Sequence, residues 1–590
     1  MTTHVQTEEN RSVVSRPPLP WLTGEAALYG VILLLALSVR LGGLDVRIMD
    51  VPEADQAWQA WRLASGQAAD GSYSPLLLSG QALLFGLFGA GEVTARLLPA
   101  LVGSAMVLLP VYARSCLSRA GSLVSALILA LSPTLVYSSR YGDGSILLAA
   151  CVLGSLVLWL AYQRDRRPVY LYTIAVMDAL AFIADPRVVG VLIVQFLAWA
   201  IERYLFRRSF IQTDVEHPIP WKRLGLTLGG ALLLVVTTLG LNPSGLGAWA
   251  DYPAAWAAHL TPVVNGQAWT YPLGALLMYE PLLLLFGVIG AVDLFVRRDK
   301  AAITVWMAAG SLVAALLAGG RDAGDVSLVC AFLALPAGRA VGHLTHSWQE
   351  KARLTREGLF VLVILGIMVY VSFEAAFYAR SLYVGLPQAS QFLWFWLLAV
   401  LLVLILAGLS WVWFGVGVTW RVAGAVLLAV LLLGAFSETT GLNYRRANDP
   451  RELHILVASD EGTRDALEAM ADLSYRKRGS PTAIPLTVEA GLGPVWRWYL
   501  RDWEDVTFVE ELTSGAATPL VLASEAQRAP ALGDQYIGQD FVTRTWWQPS
   551  LLVAEDRLSW WLYRKSQAMP VSIEKAILWV KAEERTESGE

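Results

Sequence analysis

PLLLSGQALLFGLFGA, residues 75–90, is the stretch whose reading orients the whole chain. It is a mostly apolar run that could either cross the bilayer or lie along its surface. Thirteen other apolar runs recur near 22–41, 93–113, 120–139, 145–162, 169–184, 188–206, 224–241, 272–295, 301–318, 326–342, 358–378, 390–414 and 420–437. With a cytoplasmic N-terminus and 75–90 lying along the outer surface, the loops holding Arg114 and Arg119, Arg164 to Arg167, Arg203 to Arg223, Arg297 to Lys300, Lys351 to Arg356 and Arg421 all fall inside. The other side keeps scattered cations such as Arg47, Arg62, Arg140, Arg187, Arg321 and Arg380, and the long loop 242–271 has none. If 75–90 crossed, every later loop would change sides and this positive-inside bias would invert. The stretch therefore reads as an interfacial helix on the outer face.

Composition agrees with this reading. Of 590 residues, 55% are hydrophobic and 16% charged, against about 25% charged in soluble domains. Charges are costly where side chains face lipid. A net charge of −4 gives no reason to expect nucleic acid as a partner. Cys116, Cys151 and Cys330 lie in or beside apolar runs without metal-ligand spacing and read as packing residues. The polar start of the chain lacks a signal-peptide cleavage pattern, so the first apolar run is expected to stay as an anchor.

The expected fold class is an all-α polytopic membrane protein of about 13 transmembrane helices with a small C-terminal α/β soluble domain. The expected divisions are a cytoplasmic tail (1–20), a transmembrane domain (21–442) with a first external loop at 42–92, an extracytoplasmic α/β domain (443–566) and a tail (567–590). The soluble part is read from β-like runs at 454–459, 485–490 and 519–524, alternating with helix-like runs at 461–473 and 495–503. No glycine-rich phosphate loop follows any of these strands. No inverted repeat and no paired broken helices point to a transporter.

Polar groups collect in three places that share the outer side. The first loop carries Glu53 and Asp55 just before an aromatic segment. One helix end carries Arg140 and Asp143, and another carries Asp185 and Arg187. Paired carboxylates suit general-base work or a divalent cation, though nothing in the sequence requires a metal and none is assigned. The bland alternatives are helix caps and local ion pairs. Arginine binds phosphate oxygens in bidentate fashion, so an outward cavity lined this way suits an anionic, lipid-linked donor. Glu280, Asp293 and Glu374 lie within or near apolar runs, where an ionisable group is a functional candidate by default. Trp249, Trp256, Trp269, Tyr271, Trp394 and Trp396 read as interfacial belts.

Several stretches resemble a known family. They are Glu53-Ala-Asp-Gln-Ala-Trp-Gln-Ala-Trp-Arg-Leu, Leu83-Leu-Phe-Gly-Leu-Phe-Gly, Thr94-Ala-Arg-Leu-Leu-Pro-Ala-Leu and Ala130-Leu-Ser-Pro-Thr-Leu-Val-Tyr-Ser-Ser-Arg, with Asn448-Asp-Pro-Arg-Glu-Leu, Trp496-Arg-Trp-Tyr-Leu-Arg-Asp and Trp546-Trp toward the C-terminus. Together they resemble the GT-C polytopic membrane glycosyltransferases of the protein mannosyltransferase and aminoarabinose transferase class, within it the flippase-activity-associated branch. The resemblance implies a cell-membrane enzyme moving a sugar from a polyprenyl-phosphate donor to a glycan, lipid or protein acceptor on the outer face. It implies Glu53, partnered by Asp55, as catalytic base. Arg140, with Arg187, is expected at the donor phosphate, and Asp143 and Asp185 in support. The chain departs from the family pattern where Pro52 replaces an aspartate, where Asp143 stands in for an acid expected near Ser145, and where Tyr73-Ser-Pro replaces a histidine-containing approach. The alternative expectation is a degenerate homologue that binds a lipid-linked glycan or assists its export.

Overall fold

A computed structural model describes residues 24–70, 73–204, 219–263, 266–351, 354–512, 518–525, 532 and 535–582, without the side chains of 345–357. The tail expected at 1–20 lies outside the described residues. Each of the thirteen apolar runs falls on a helix or a closely joined helix pair. Among the described residues, eight helices are long and apolar enough to cross a membrane, or up to ten if each of two bent pairs counts as one span. The remaining three expected spans are the helices Pro168–Phe182, Val188–Tyr204 and Trp221–Val236, of 15, 17 and 16 residues. At 1.5 Å per residue their described residues cover about 23–26 Å of a ~30 Å hydrocarbon core, the second of them ending where the described residues end. The protein is a multi-pass membrane protein, and its spans are less uniform than the hydropathy pattern implied.

Helices Ser145–Asp165 and Ala323–Leu344 form the centre, each with 89% of its apolar window buried. Small residues bring the second of these against helix Arg119–Leu131: a Cβ added to Gly121 would lie 2.9 Å from the Gly338 carbonyl oxygen. Such close backbone approach is how helices associate where burial from water supplies no driving force. The stretch 75–90 forms a helix, Pro75–Phe88, capped by Ser74. Its 14 residues reach about 21 Å, too short to cross.

The two bent pairs correct the expectation that no broken helices occur. Helix Arg119–Leu131 turns by 59° into Pro133–Ser139, and Tyr271–Tyr279 turns by 100° into Pro281–Val296. Proline at the second helix of each pair forbids a continuous ladder. The breaks meet: the Glu280 carboxylate accepts from the Ser132 hydroxyl at 2.6 Å and the Thr134 N–H at 2.9 Å. Glu280 is thus spent on the free N–H groups of the other break. Asp293 is spent as well, on Arg297 and Arg339 at 2.6 Å each.

Beyond a last membrane helix the chain builds a mixed six-stranded sheet. Its strands are β1 (Val457–Ser459), β2 (Leu486–Glu489), β3 (Val506–Val509), β4 (Leu520–Ser524), β5 (Tyr536–Trp546) and β6 (Val571–Lys581), in the order β1-β5-β6-β4-β2-β3. β2 pairs in parallel with β3 and β4, while β6 joins β4 and β5 antiparallel. The domain does not end at 566 as expected: β6 lies in the middle of the sheet and carries the domain to at least Lys581, while residues 583–590 lie outside the described residues. Helices Gly462–Arg478, Pro494–Tyr499 and Asp556–Tyr563 cover the sheet and its contacts with the bundle.

This domain grips the first loop. The Tyr499 hydroxyl donates to Glu92 at 2.5 Å and accepts from the Met49 N–H at 3.1 Å. Arg501 donates to the Ala90 carbonyl at 2.7 Å, and the Ser459 hydroxyl to the Met49 carbonyl at 2.8 Å. Trp498 is buried against Phe85. The first loop and the sheet domain thus share one face of the bundle, called the loop face below.

Candidate active site

The turn 140–144 joins helix Pro133–Ser139 to the buried helix Ser145–Asp165 and sends three groups to three neighbours. Arg140 donates to the carbonyls of Gly42 (2.5 Å), Gly43 (2.6 Å) and Arg40 (3.1 Å), with its guanidinium 4.3 Å from the Tyr444 ring. The Arg40 carbonyl is in the last turn of helix Gly24–Leu41 and has no partner within it, and those of Gly42 and Gly43 follow directly on that helix. Arg40 does the same for its neighbour, donating to Leu129 (2.8 Å) and Ala130 (3.0 Å) at the end of helix Arg119–Leu131. Arg140, expected at the donor phosphate, is held as a helix cap. Charged hydrogen bonds contribute about 1.5–3 kcal/mol each. Arg140→Met is accordingly expected to lower the thermal midpoint of the detergent-purified protein clearly, which scanning fluorimetry checks.

Gly142 reaches the second neighbour, its N–H donating to Glu53 Oε1 at 2.8 Å. Glu53 stands in the first turn of helix Val51–Ala64 and is fully buried. Arg96 binds it through both ends of the guanidinium, Nε to Oε1 at 2.6 Å and Nη2 to Oε2 at 2.7 Å, and Arg47 lies 3.7 Å away. Burial alone would push this carboxyl up, but Arg96, then Arg47 and the Gly142 N–H, hold it below the ordinary range. A carboxylate so placed is a weak base and has no free oxygen to offer. Asp55, two residues on, is raised by burial, against the smaller opposing effects of Gln59 and of the charge of Arg497 in the sheet domain. Asp50 caps the same helix, accepting from the Glu53 N–H and from the Tyr141 hydroxyl at 2.8 Å.

The third group is Asp143, and it meets the other expected pair. Its Oδ1 accepts from the Ser145 hydroxyl at 2.7 Å. Ser145 and Arg187 flank Gly324 so closely that an added Cβ would lie 2.8 Å from one and 2.9 Å from the other. Arg187 binds Asp185 at 2.8 Å, Asp325 at 3.1 Å and Asp322, and His259 Nε2 lies 3.1 Å from Asp325. Asp185 and Asp325 are buried, whereas the Asp322 side chain is 49% exposed. Burial pushes Asp143 up to about 7, with Asp185 and Asp322 adding to the rise and Arg187 opposing it. Burial would lower His259, but its hydrogen bond to Asp325 and the charge of that carboxylate together hold it above its ordinary value.

An apolar groove of 490 Å³ runs down from this cluster between helices Val188–Tyr204, Tyr252–His259, Ile303–Leu317 and Ala323–Lys351. Arg187, His259 and Asp325 stand at its head, and Val191, Val194, Trp256 and Trp306 line it. Leu197 (52% exposed) and Leu317 (70% exposed) also border it, so it opens on the lipid-facing surface.

Of the residues singled out in the sequence, Asp143, Asp185 and Arg187 come together. Glu53 and Arg140 touch the same turn in holding roles, and Asp55 lies apart. Sequence reasoning missed Arg96, Asp50, His259, Asp322 and Asp325. The last two follow Gly319-Gly-Arg at a helix start on the outer side, a signal like that of Asp185. Among the described residues no three His, Cys, Asp or Glu side chains form a group able to hold a metal ion.

A bundle of this kind, with a sheet domain over its first loop, has the fold of the GT-C glycosyltransferases. That bears out the resemblance read from the sequence. The family profile of dolichyl-phosphate-mannose-protein mannosyltransferases matches residues 73–239. ArnT from Cupriavidus metallidurans bound to undecaprenyl phosphate is similar with a TM-score of 0.50 at 16% identity, covering 84% of this chain and 87% of that one. Its apo form gives 0.50 at 15%, covering 94% and 97%. The oligosaccharyltransferase of Archaeoglobus fulgidus gives 0.43 at 13%, covering 82% and 63%. No curated protein sequence matches the chain.

Proposed function

We propose that the protein is a membrane glycosyltransferase that takes a sugar from a polyprenyl-phosphate donor to an acceptor hydroxyl at the extracytoplasmic face. The observation that carries this reading is the apolar groove with Arg187 and His259 at its head. An isoprenoid chain fits such a groove, and a phosphate suits a guanidinium at its end. The ArnT structure with undecaprenyl phosphate gives the same fold a lipid of that chemistry. The positive-inside bias supports an outward loop face.

The donor phosphate takes the place of Asp322, the exposed carboxylate on Arg187, while buried Asp185 and Asp325 keep the guanidinium in position. Asp143, not Glu53, accepts the proton of the acceptor hydroxyl. That oxygen bonds to the anomeric carbon, and the bond from this carbon to the phosphate oxygen breaks, its electron pair leaving on the phosphate. Arg187 and protonated His259 stabilise the charge that gathers there. The sheet domain, gripping the first loop, borders the acceptor's approach.

One observation favours the second reading, a non-catalytic lipid-glycan binder: the acid of the first-loop motif is locked by Arg96. The two readings part at turnover but share the groove. In nanodiscs, Arg187→Ala is expected to weaken polyprenyl phosphate binding at least tenfold, a loss of about 1.4 kcal/mol. Asp322→Asn removes the competing carboxylate and should tighten binding several-fold, an effect that misfolding cannot mimic. Unchanged affinity in both variants contradicts the groove as the donor site.

A further inference from the structure

The segment 242–260 borders two grooves. Trp256 and His259, near its end, line the donor groove, whereas Asn242 to Ser244, at its start, line a second groove of 880 Å³. This one lies between the end of helix Val51–Ala64, the short helix Pro75–Phe88, helix Glu92–Ala105 and the stretch that leaves helix Trp221–Val236. Leu76, Leu98 and Leu234 give it an apolar wall. Leu83 (65% exposed) and Leu239 (76% exposed) stand at its edge, so it too opens on the lipid-facing surface.

Its polar lining sets it apart from the donor groove. Gln67, Ser79, Thr238, Asn242 and Ser244 take part, and no Lys, Arg, His, Asp or Glu does among the described residues. Ser79 Oγ lies 2.8 Å from Thr238 Oγ1, and the Ser244 hydroxyl donates to Asn242 at 2.6 Å. Each of these hydroxyl oxygens has a lone pair for a further donor, and the exposed Gln67 amide offers both donor and acceptor. Thr238 and Leu239 hold left-handed backbone angles, φ 48° and 58°, in the turn that brings Asn242 and Ser244 back to the groove. Strain of this kind clusters at ligand clamps. An anionic headgroup would lose its hydration here and meet no cation. A soluble glycan would leave the leucine wall uncovered.

Tyr73 and Ser74 connect the polar lining to the turn of Asp143. Asn242 donates to the Tyr73 hydroxyl at 3.2 Å. Ser74, next along the chain, donates to the Ala184 carbonyl at 2.6 Å, and its oxygen lies 3.3 Å from where a Cβ on Gly144 would stand. We infer, resting on the donor reading above, that this groove holds the acceptor, and that the acceptor is an uncharged glycerolipid with a free hydroxyl. Its chains lie on the leucine wall, and its hydroxyl reaches Asp143 past Ser74. There the hydroxyl proton passes to Asp143 and the oxygen bonds to the anomeric carbon, while the donor phosphate leaves with the electron pair of the bond that breaks.

The test uses the full chain in nanodiscs with photoactivatable diacylglycerol and phosphatidylglycerol of identical chains. Diacylglycerol is expected to crosslink residues 234–244 at least tenfold more than phosphatidylglycerol does. With the photoreactive group at its glycerol end, it should label residues 140–145. Ala68→Trp and Leu83→Trp, both at exposed positions lining the groove, should each cut this labelling at least tenfold and leave polyprenyl phosphate affinity within a factor of two. Equal labelling by the two lipids overturns the inference, as does labelling that neither variant moves, or glycerol-end labelling away from 140–145. Failure of the donor reading has a different mark. Polyprenyl phosphate affinity lost in Ala68→Trp and kept in Arg187→Ala would assign this groove to the donor and overturn both.

Discussion

Asp143→Asn is expected to lower sugar transfer by at least about a hundredfold while leaving polyprenyl phosphate binding within a factor of two. The magnitude follows from general-base catalysis, which contributes about 10²–10⁴-fold. The selectivity follows from position: among the described residues the Asp143 carboxylate hydrogen-bonds Ser145 alone, whereas Asp185 and Asp325 hold Arg187. Asparagine keeps the shape and the acceptor oxygen for Ser145, so loss of transfer without loss of binding separates proton transfer from scaffolding. The pH profile carries the same signature. Burial pushes Asp143 up to about 7, and the deprotonated form is the active one. The kcat/KM should therefore fall as pH drops through about 7 and level off above it. His259 acts protonated, so a second, falling limb belongs at higher pH. The Asn variant should lose the rising limb. Full turnover with an unchanged profile would return the base to another carboxylate.

Arg96→Leu is expected to be the most damaging single change to stability. It leaves Glu53, fully buried, with only the more distant Arg47 as a cation. Removing one partner of a buried ion pair costs about 3–5 kcal/mol. Removing both is milder, because no carboxylate is left buried without its closest cation, although the Gly142 N–H and the Leu44 and Arg47 carbonyls lose these partners. Glu53→Leu with Arg96→Leu should thus regain most of the lost thermal midpoint, as read by scanning fluorimetry in detergent. Activity in the double variant decides the role of the first-loop acid. Retained transfer marks Glu53 as a clamp holding the first loop to helix Glu92–Ala105, whereas abolished transfer in a folded double variant makes it catalytic.

The pattern of legibility has a physical cause. Apolar runs are local, so all thirteen fell on helices or closely joined helix pairs, whereas 75–90 was ambiguous by length and was read as non-spanning only from the distribution of basic residues. Ser132-Pro and Glu280-Pro were equally visible, but that the breaks meet depends on residues 146 and 148 positions apart. The same holds for Glu53 and Arg96, separated by 43 residues. An arginine opening an apolar run looks like an interfacial anchor until its partner is known. Arg140 stands at the end of a Tyr-Ser-Ser-Arg stretch, yet it is taken up by the carbonyls of Arg40, Gly42 and Gly43 at the end of the first helix and just beyond it. In the sheet domain, β1, β2 and β4 were legible as short apolar runs. β5 and β6 were not, because Glu574, Lys575, Asp540 and Arg544 dilute their apolar character. Only the long antiparallel pairing between those strands reveals them.

The reading stands or falls on where the donor lipid binds. A cryo-EM structure of the protein in nanodiscs with polyprenyl phosphate tests it most directly. The phosphate should lie within hydrogen-bond reach of Arg187, with Asp322 displaced and the isoprenoid between helices Val188–Tyr204 and Ile303–Leu317. A phosphate seated instead on Arg47 beside Asp50, with the groove holding no ordered chain, would contradict it.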